Sequence, residues 1–325
     1  MRAARTDGGD HTVVAHDEHG LALVFPGQGS QREGMAVPWA DEPSFARWRE
    51  ADRILGRDVA RLGLNASADE LREPAACQVA LFVHGVVVLE AWRARGGPEP
   101  VAVAGHSLGE YVSLVAAGVL GFADGLSLVH ARATATQRAA QARPGTMVAC
   151  LGYDVEVVAT ACGEAGAHLA NDNAPGQVVV AGGPEALERL RAALSGAPGR
   201  GRVVPLEVGA AYHSPHMAPA VEPFSEVLEG AAFADARMPV VANVDALPHA
   251  GAGEWPTLLR QQLVRPVRWR ETVGALRVLG TGTVVELGAT AVLTGLVKRT
   301  DRSLVRRVVT TPEDLAAHTG ESLRR

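Results

Sequence analysis

The chain has 325 residues, of which 47% are apolar and 21% charged, and its formal net charge is -5. This length predicts one large domain with a smaller one attached, and the composition is that of a globular protein. A mildly acidic chain lacks the excess of clustered Lys and Arg that phosphate binding requires, which argues against a nucleic-acid-binding protein.

The cysteines and the apolar stretches restrict the class further. Cys77, Cys150 and Cys162 form no Cys-x-x-Cys pair, so neither a disulfide framework nor a zinc site is expected. The longest apolar stretch, 79–89, is too short to span a bilayer and predicts a buried helix. Residues 1–19 are polar and predict a mobile extension without a signal peptide. We expect a cytoplasmic monomer with no metal and no membrane partner.

Short buried strands and helices alternate in the first part of the chain. In chain order these are a strand over 21–25, a helix over 76–95, a strand over 101–104 and a helix over about 108–119. Strands and helices in alternation predict a parallel sheet that is covered on both faces.

The middle of the chain has shorter elements. In chain order these are a strand over 145–153, a helix over 155–165, a strand over 177–181, a helix over 184–194 and a strand over 203–208. This series predicts a small split β-α-β insert. Patterns typical of buried strands then return at 240–244 and 283–287.

The segment Gly105-His106-Ser107-Leu108-Gly109 lies between a predicted strand and a predicted helix. A strand that turns at once into a helix holds its middle residue in a strained, exposed position, and the glycines make room for the turn. The serine oxygen then lies at a helix N-terminus, whose free amides stabilise negative charge. This context predicts that Ser107 is a nucleophile.

A nucleophilic serine needs a base, and the sequence contains eleven histidines. His213 lies in a loop after the predicted strand over 203–208, a position typical of catalytic residues. Several others are less suitable because they lie in the predicted extension, in an apolar helix or beside the serine: His11, His16, His19, His84 and His106. His213 is the first candidate, and His216 remains its nearest alternative.

Further motifs accompany the elbow and occur in a fixed order. They are Phe-Pro-Gly-Gln-Gly-Ser-Gln at 25–31, Gly-His-Ser-Leu-Gly-Glu-Tyr at 105–111, Asn-Asp-Asn-Ala-Pro-Gly-Gln at 171–177 and the histidine loop at 211–217. With these motifs the chain, from about residue 21 to residue 300, resembles the malonyl-CoA:acyl carrier protein transacylases of fatty acid synthesis. It also resembles the acyltransferase domains of polyketide synthases, including those that act as separate chains.

The resemblance implies a fold and a reaction. The fold is α/β, with an α/β-hydrolase-like large domain at 20–143 and 206–325 and an inserted ferredoxin-like subdomain at 144–205. The reaction moves a malonyl-type group from coenzyme A to the phosphopantetheine thiol of an acyl carrier protein through an ester on Ser107, without a permanent cofactor. Two alternatives stay open: an acyl shuttle between two carrier proteins, and a serine thioesterase or other hydrolase. The choice between fatty acid and polyketide synthesis also stays open.

The same resemblance implies roles for individual residues. Ser107 and His213 form a catalytic dyad, and the main-chain carbonyl of Gln262 orients the histidine. The backbone amides of Gln28 and Leu108 form the oxyanion hole.

Acyl selection rests on a second set of residues that the resemblance implies. Arg132, on a helix downstream of the serine, binds the carboxylate of the acyl group through paired hydrogen bonds. The candidate substrate contacts are Gln78, Tyr212, Gln262 and Asn173. Tyr212 occupies a position where malonyl-specific polyketide enzymes usually have phenylalanine, so an unusual extender unit stays open.

Basic residues concentrate near the end of the sequence: Lys298, Arg299, Arg302, Arg306, Arg307, Arg324 and Arg325. They predict either a solvated basic face or a docking surface for an acidic partner. Of these residues, Lys298 and Arg299 are the candidates for docking the carrier protein.

Overall fold

The structure, a computed structural model, describes residues 20–196 and 201–318 and contains two β-sheets. The first sheet has the strand order β10-β9-β1-β2-β7-β8, with β1 Gly20–Phe25, β2 Ala102–Gly105, β7 Val240–Val241, β8 Pro248–His249, β9 Thr281–Leu287 and β10 Val305–Val309. The second has the order β4-β5-β3-β6, with β3 Thr146–Leu151, β4 His168–Ala174, β5 Gln177–Gly182 and β6 Arg202–Pro205. The predicted extension at 1–19 and the basic residues Arg324 and Arg325 lie outside the described residues.

Helices cover both sheets. Within the described part of the chain they are α1 Ala46–Leu55, α2 Ala60–Leu64, α3 Pro74–Ala94, α4 Gly109–Ala117, α5 Phe122–Ala142, α6 Val155–Ala165, α7 Pro184–Ser195, α8 Ala218–Gly230, α9 Trp255–Val264, α10 Trp269–Val278, α11 Leu293–Thr300 and α12 Pro312–His318. The fold is therefore of the mixed α/β class.

The first sheet is parallel except for the pair β7 and β8. Every residue of β2 and β9 is buried, which explains why these strands are nearly continuous apolar runs rather than alternating ones. The carboxyl ends of β1, β2 and β9 meet at one edge of the sheet. The loops that follow them are joined there, since Thr290 Oγ1 donates to the Ser30 carbonyl at 2.9 Å.

The second sheet is antiparallel and has four strands, whereas the sequence predicted only three. The missed strand is β4, which contains Asn171, Asp172 and Asn173, residue types that are poor strand formers. Tertiary contacts override that preference: Asp172 pairs with Arg270 at 2.7 Å, and its amide donates to the Val267 carbonyl at 2.9 Å. These contacts also attach the second sheet to the segment that precedes α10.

Two predicted strands are shorter than expected. The strand predicted over 203–208 ends at Pro205, and the one predicted over 240–244 spans only Val240–Val241. In the second case the main chain leaves the sheet early because Asn243 turns toward β2 and bonds the Gly105 carbonyl through its side chain.

Helix α3 is the buried helix that the sequence predicted, but it is longer than the apolar stretch at 79–89. It is long and apolar enough to cross a membrane by length and composition, so length alone was a weak argument against a span. However, 89% of its most apolar window is buried inside the protein, where the helix packs against α4 and α5. We interpret α3 as the central core helix of the fold.

Glu286, fully buried on β9, gives a test of how the two layers are joined. Its carboxylate accepts the amides of Val292, Leu293 and Thr294 at 2.8–2.9 Å and so caps α11. Glu286→Ala leaves these donors without a partner, and we expect it to lower the free energy of unfolding by roughly 3 kcal/mol in urea titrations. The control Glu229→Ala, at an exposed site, should change it by less than about 0.5 kcal/mol. Equal effects of the two variants would contradict this role.

Candidate active site

The loop between β2 and α4 forms a tight elbow. Ser107 lies at its tip with φ of 53°, a left-handed conformation that is rare for a residue with a side chain. A Cβ added to Gly105 would lie 1.9 Å from the main-chain carbon of Gly109, and one added to Gly109 would lie 1.9 Å from the Phe25 carbonyl oxygen. Only glycine fits at both positions, so the turn that exposes Ser107 depends on the glycines on either side of it.

Ser107 and His213 are in direct contact. The serine Oγ donates to His213 Nε2 at 2.7 Å, and His213 Nδ1 donates to the main-chain carbonyl of Gln262 at 2.8 Å. Burial, and then the nearby Arg132 cation, lower the pKa of His213 to about 3. The imidazole is therefore neutral at physiological pH, with Nε2 free to accept the serine proton.

The other histidines that the sequence left in question have different partners. His106 Nε2 pairs with Asn173 Oδ1 at 2.8 Å, and its ring lies against Trp269. His216 lies against His168, with ring centroids 6.1 Å apart. His84 is a core residue, buried within α3. Among the described histidines, only His213 bonds the serine oxygen.

Arg132 is a buried cation beside the nucleophile, with 1% of its surface exposed. Its Nη1 donates to Gln78 Oε1 at 2.5 Å, and its Nη2 donates to Ser107 Oγ at 3.1 Å and to Gln262 Oε1 at 3.2 Å. Its guanidinium lies over the ring of Tyr111, 5.7 Å from the centroid. All of its hydrogen-bond acceptors are neutral, and within residues 20–196 and 201–318 no carboxylate forms an ion pair with it. A buried arginine of this kind can bind a carboxylate that enters the site.

A buried polar cluster lies beneath the serine, and sequence analysis did not find it. Asn243 Oδ1 accepts the Ser107 amide at 2.7 Å, and the Asn243 amide donates to Glu110 Oε1 at 2.7 Å. Gln262 Nε2 donates to the Ser107 carbonyl at 2.9 Å and to Glu110 Oε2. Burial raises the pKa of Glu110 to about 7. A lone carboxylate in the otherwise apolar helix α4 is the signal that could have revealed the cluster.

The dyad opens into two adjoining cavities. The inner one, of about 180 Å³, is lined by Ser107, His213, Gln28, His106, Asn173, Tyr212, Met147, Asn171, Val179, Leu206 and Val208. The outer one, of about 340 Å³, is lined by Gly27, Gln28, His106, Asn173, Gln177, Val292, Leu293, Gly295, Leu296 and Arg299. Because both sheets contribute residues to the inner cavity, the site lies where the two sheets face each other.

The remaining candidates occupy defined places around these cavities. The loop that carries Gln28 lies directly against the elbow, since a Cβ on Gly27 would be 2.5 Å from the His106 carbonyl oxygen. Leu108 precedes α4, where amides have no intrahelical acceptor. Gln78 contacts Arg132 from α3.

The two docking candidates lie in the last turn of α11. Lys298 and Arg299 are both exposed, and Arg299 also lines the outer cavity.

Comparison with known proteins gives a consistent family. A model of the acyl transferase domain matches residues 22–319. The malonyl CoA-acyl carrier protein transacylase of Escherichia coli strain K12 is 38% identical over 306 residues, which are 91% of this chain and 98% of the relative. The protein of the same name from Bacillus subtilis strain 168 is 38% identical over 302 residues, which are 91% of this chain and 95% of the relative.

Solved structures of malonyl transacylases have the same fold. One, in complex with its type II PKS acyl-carrier protein, gives a TM-score of 0.89 at 37% identity and covers 93% of this chain and 99% of that chain. The malonyl-CoA:acyl carrier protein transacylase of Xanthomonas oryzae pv. oryzae gives a TM-score of 0.89 at 39% identity, over 94% of this chain and 98% of that chain. The chain described here therefore belongs to the acyl transferase domain family.

Proposed function

We propose that this chain transfers a malonyl group from coenzyme A to the phosphopantetheine thiol of an acyl carrier protein through an ester on Ser107. The observation that carries the proposal is Arg132, a buried cation in contact with Ser107 Oγ and without an ion-pair partner in the described structure. The carboxylate of a malonyl ester lies one methylene beyond the ester carbonyl, close to the serine. The names of the relatives support the same acyl group and the same acceptor.

In the first half-reaction, His213 Nε2 takes the Ser107 proton while the serine oxygen attacks the thioester carbonyl carbon. The negative charge that forms on the carbonyl oxygen is stabilised by the amides of Gln28 and Leu108. The carbon–sulfur bond then breaks, and the departing sulfur takes the proton from His213. Coenzyme A leaves as its thiol, and the malonyl group stays on Ser107 as an ester.

In the second half-reaction, the carrier-protein thiol follows the same path in reverse. The thiol gives its proton to His213, and its sulfur attacks the ester carbonyl carbon. Ser107 Oγ then leaves and regains the proton. A thiol of pKa ~8.5 ionises far more readily than water, which favours transfer over hydrolysis. His213, with only 4% of its surface exposed, is also well shielded from bulk water.

The fold supports a finer assignment of the two parts. A parallel sheet with the nucleophile elbow after an inner strand supports an α/β-hydrolase-like catalytic domain at 20–143 and 206–325. An antiparallel four-stranded sheet in the order β-α-β-β-α-β supports a ferredoxin-like subdomain at 144–205.

Acyl selection involves the inner cavity as well as Arg132. Tyr212 lines this cavity, is 7% exposed, and its hydroxyl has no hydrogen-bond partner in the described structure. We assign to its ring the role of limiting the space beside the α-carbon of the acyl group. Asn173 lines both cavities and faces the acyl thioester, and Gln78 holds the guanidinium of Arg132 in place.

Intact-mass analysis of the acyl-enzyme tests the dyad. Ser107→Ala should abolish the malonyl adduct, and His213→Ala should slow its formation by roughly a hundredfold or more, the usual scale for the loss of a general base. His216→Ala is the matched control and should acylate at nearly the wild-type rate. An adduct that persists in Ser107→Ala, or a larger loss in the His216 variant, would contradict the assignment. Rapid release of free malonate without carrier protein would favour the hydrolase alternative.

Initial acylation rates with malonyl-CoA and acetyl-CoA test Arg132. In Arg132→Ala the malonyl carboxylate faces a site without a cation, whereas an acetyl group no longer leaves a buried arginine without a partner. The preference for malonyl over acetyl should therefore fall by at least ~100-fold, because each 1.4 kcal/mol corresponds to tenfold. If both rates change in the same proportion, Arg132 is structural and the malonyl assignment fails.

Charge reversal tests the docking site. Lys298→Glu/Arg299→Glu should raise the KM for carrier protein and leave acylation by malonyl-CoA unchanged. Exposed ion pairs are weak and screened by salt, so the effect should shrink as ionic strength rises. The control Arg53→Glu/Arg57→Glu reverses two exposed arginines that line neither cavity, and it should behave as wild type. An equal loss in both half-reactions would exclude a docking role.

A further inference from the structure

Glu110 is a buried carboxylate that touches none of the groups assigned to the reaction, yet its two partners touch all of them. Its Oε1 accepts the Asn243 amide at 2.7 Å, and its Oε2 accepts from Gln262 Nε2. Asn243 holds the Ser107 amide. Gln262 bonds Arg132 and the Ser107 carbonyl through its side chain, and His213 through its main-chain carbonyl.

We propose that Glu110 is a positioning residue that fixes the orientation of the Gln262 amide and so holds Arg132 ready for the substrate carboxylate. This inference rests on the proposed function, because it takes Arg132 as the group that binds malonyl. Glu110 itself contacts no substrate atom; it acts through Gln262.

The argument begins with the two ends of the Gln262 side chain. A carboxamide has a donor end and an acceptor end of nearly the same shape, so packing alone does not choose between its two orientations. Glu110, as a carboxylate, only accepts hydrogen bonds, and it therefore draws Nε2 toward itself. Oε1 is left facing Arg132, where it accepts from Nη2 at 3.2 Å. The opposite orientation would place an NH2 group against the guanidinium, donor against donor.

The position of the negative charge explains why the carboxylate is one residue removed from the arginine. A carboxylate in direct contact with Arg132 would occupy the donors that the substrate needs. Glu110 is separated from Arg132 by the Gln262 amide, so its charge still stabilises the buried cation across a poorly screened interior. The attraction is mutual, since Arg132 opposes the rise that burial causes in the pKa of Glu110. The guanidinium is thus stabilised without being saturated.

The contact with Asn243 supports the same role from the other side of the serine. Asn243 Oδ1 holds the Ser107 amide at 2.7 Å, and its Nδ2 donates to the Gly105 carbonyl at 2.7 Å. Glu110 fixes the main chain of Asn243 and, through Gln262, the guanidinium of Arg132. One buried carboxylate therefore sets the distance between the nucleophile and the cation that must both meet a single malonyl group.

The test uses Glu110→Gln, which keeps the size of the side chain but replaces one acceptor with a donor. Its oxygen can still accept the Asn243 amide, so its new NH2 meets Gln262 and turns that amide around. Arg132 then loses an acceptor and faces a donor. We expect the ratio of malonyl to acetyl acylation, each measured as kcat/KM, to fall about tenfold, mainly through the KM for malonyl-CoA. The control Ser113→Ala removes another buried hydrogen bond of α4, and it should leave the ratio unchanged.

A double-variant cycle separates positioning from general damage. Gln262→Met removes the side-chain amide and keeps the main-chain carbonyl that His213 needs, and it should also lower the ratio about tenfold. In this background Glu110→Gln should cause no further fall, since Glu110 acts through the amide that is already gone. Additive effects would overturn the proposal, as would a Glu110→Gln ratio equal to that of wild type. If Glu110→Gln does not fold, an unchanged ratio in Gln262→Met overturns it alone. Wild-type protein that forms no malonyl ester would instead contradict the proposed function.

Discussion

The site is organised around one costly feature, a guanidinium buried next to the nucleophile without a carboxylate in contact. Removing a charged group from water costs several kcal/mol unless it is paired and hydrogen-bonded. Here the guanidinium of Arg132 is hydrogen-bonded by neutral oxygens from α3, α9 and the elbow, and Glu110 lies one amide away. A directly paired arginine would be more stable and would have no donors left for a substrate. The arrangement therefore gives up some stability of the free protein in favour of the acyl group.

The fold brings these groups together from distant parts of the chain. The elbow follows β2, the histidine follows the second sheet, and the residues that orient the histidine and the arginine come from α9 and α5. The three described non-glycine residues with positive φ are Ser107, His213 and Ala246, and the first two form the dyad. Such conformations persist only where the surroundings hold them, which here means the close packing of Gly105 and Gly109 and the contacts of Asn243.

The sequence was informative wherever local chemistry alone decides the structure. The apolar runs at β1 and β2 and the helix Val155–Ala165 are local patterns, and the elbow motif is recognisable because only glycine fits its close approaches. Strand β4 was missed because its polar residues are stabilised by partners almost a hundred residues away, such as Arg270. The choice between His213 and His216 was left open on the residues alone for a similar reason. Which ring reaches the serine depends on a turn with positive φ that composition does not reveal.

The most direct test of this account is a crystal structure of the malonyl ester on Ser107. The account predicts that both carboxylate oxygens of the ester accept hydrogen bonds from Arg132, at about 2.7–2.9 Å. It also predicts that Gln262 Nε2 still faces Glu110 and that the Arg132 contact with Ser107 Oγ is given up. A carboxylate directed instead into the outer cavity toward Arg299, with Arg132 still bound to its neutral partners, would contradict it.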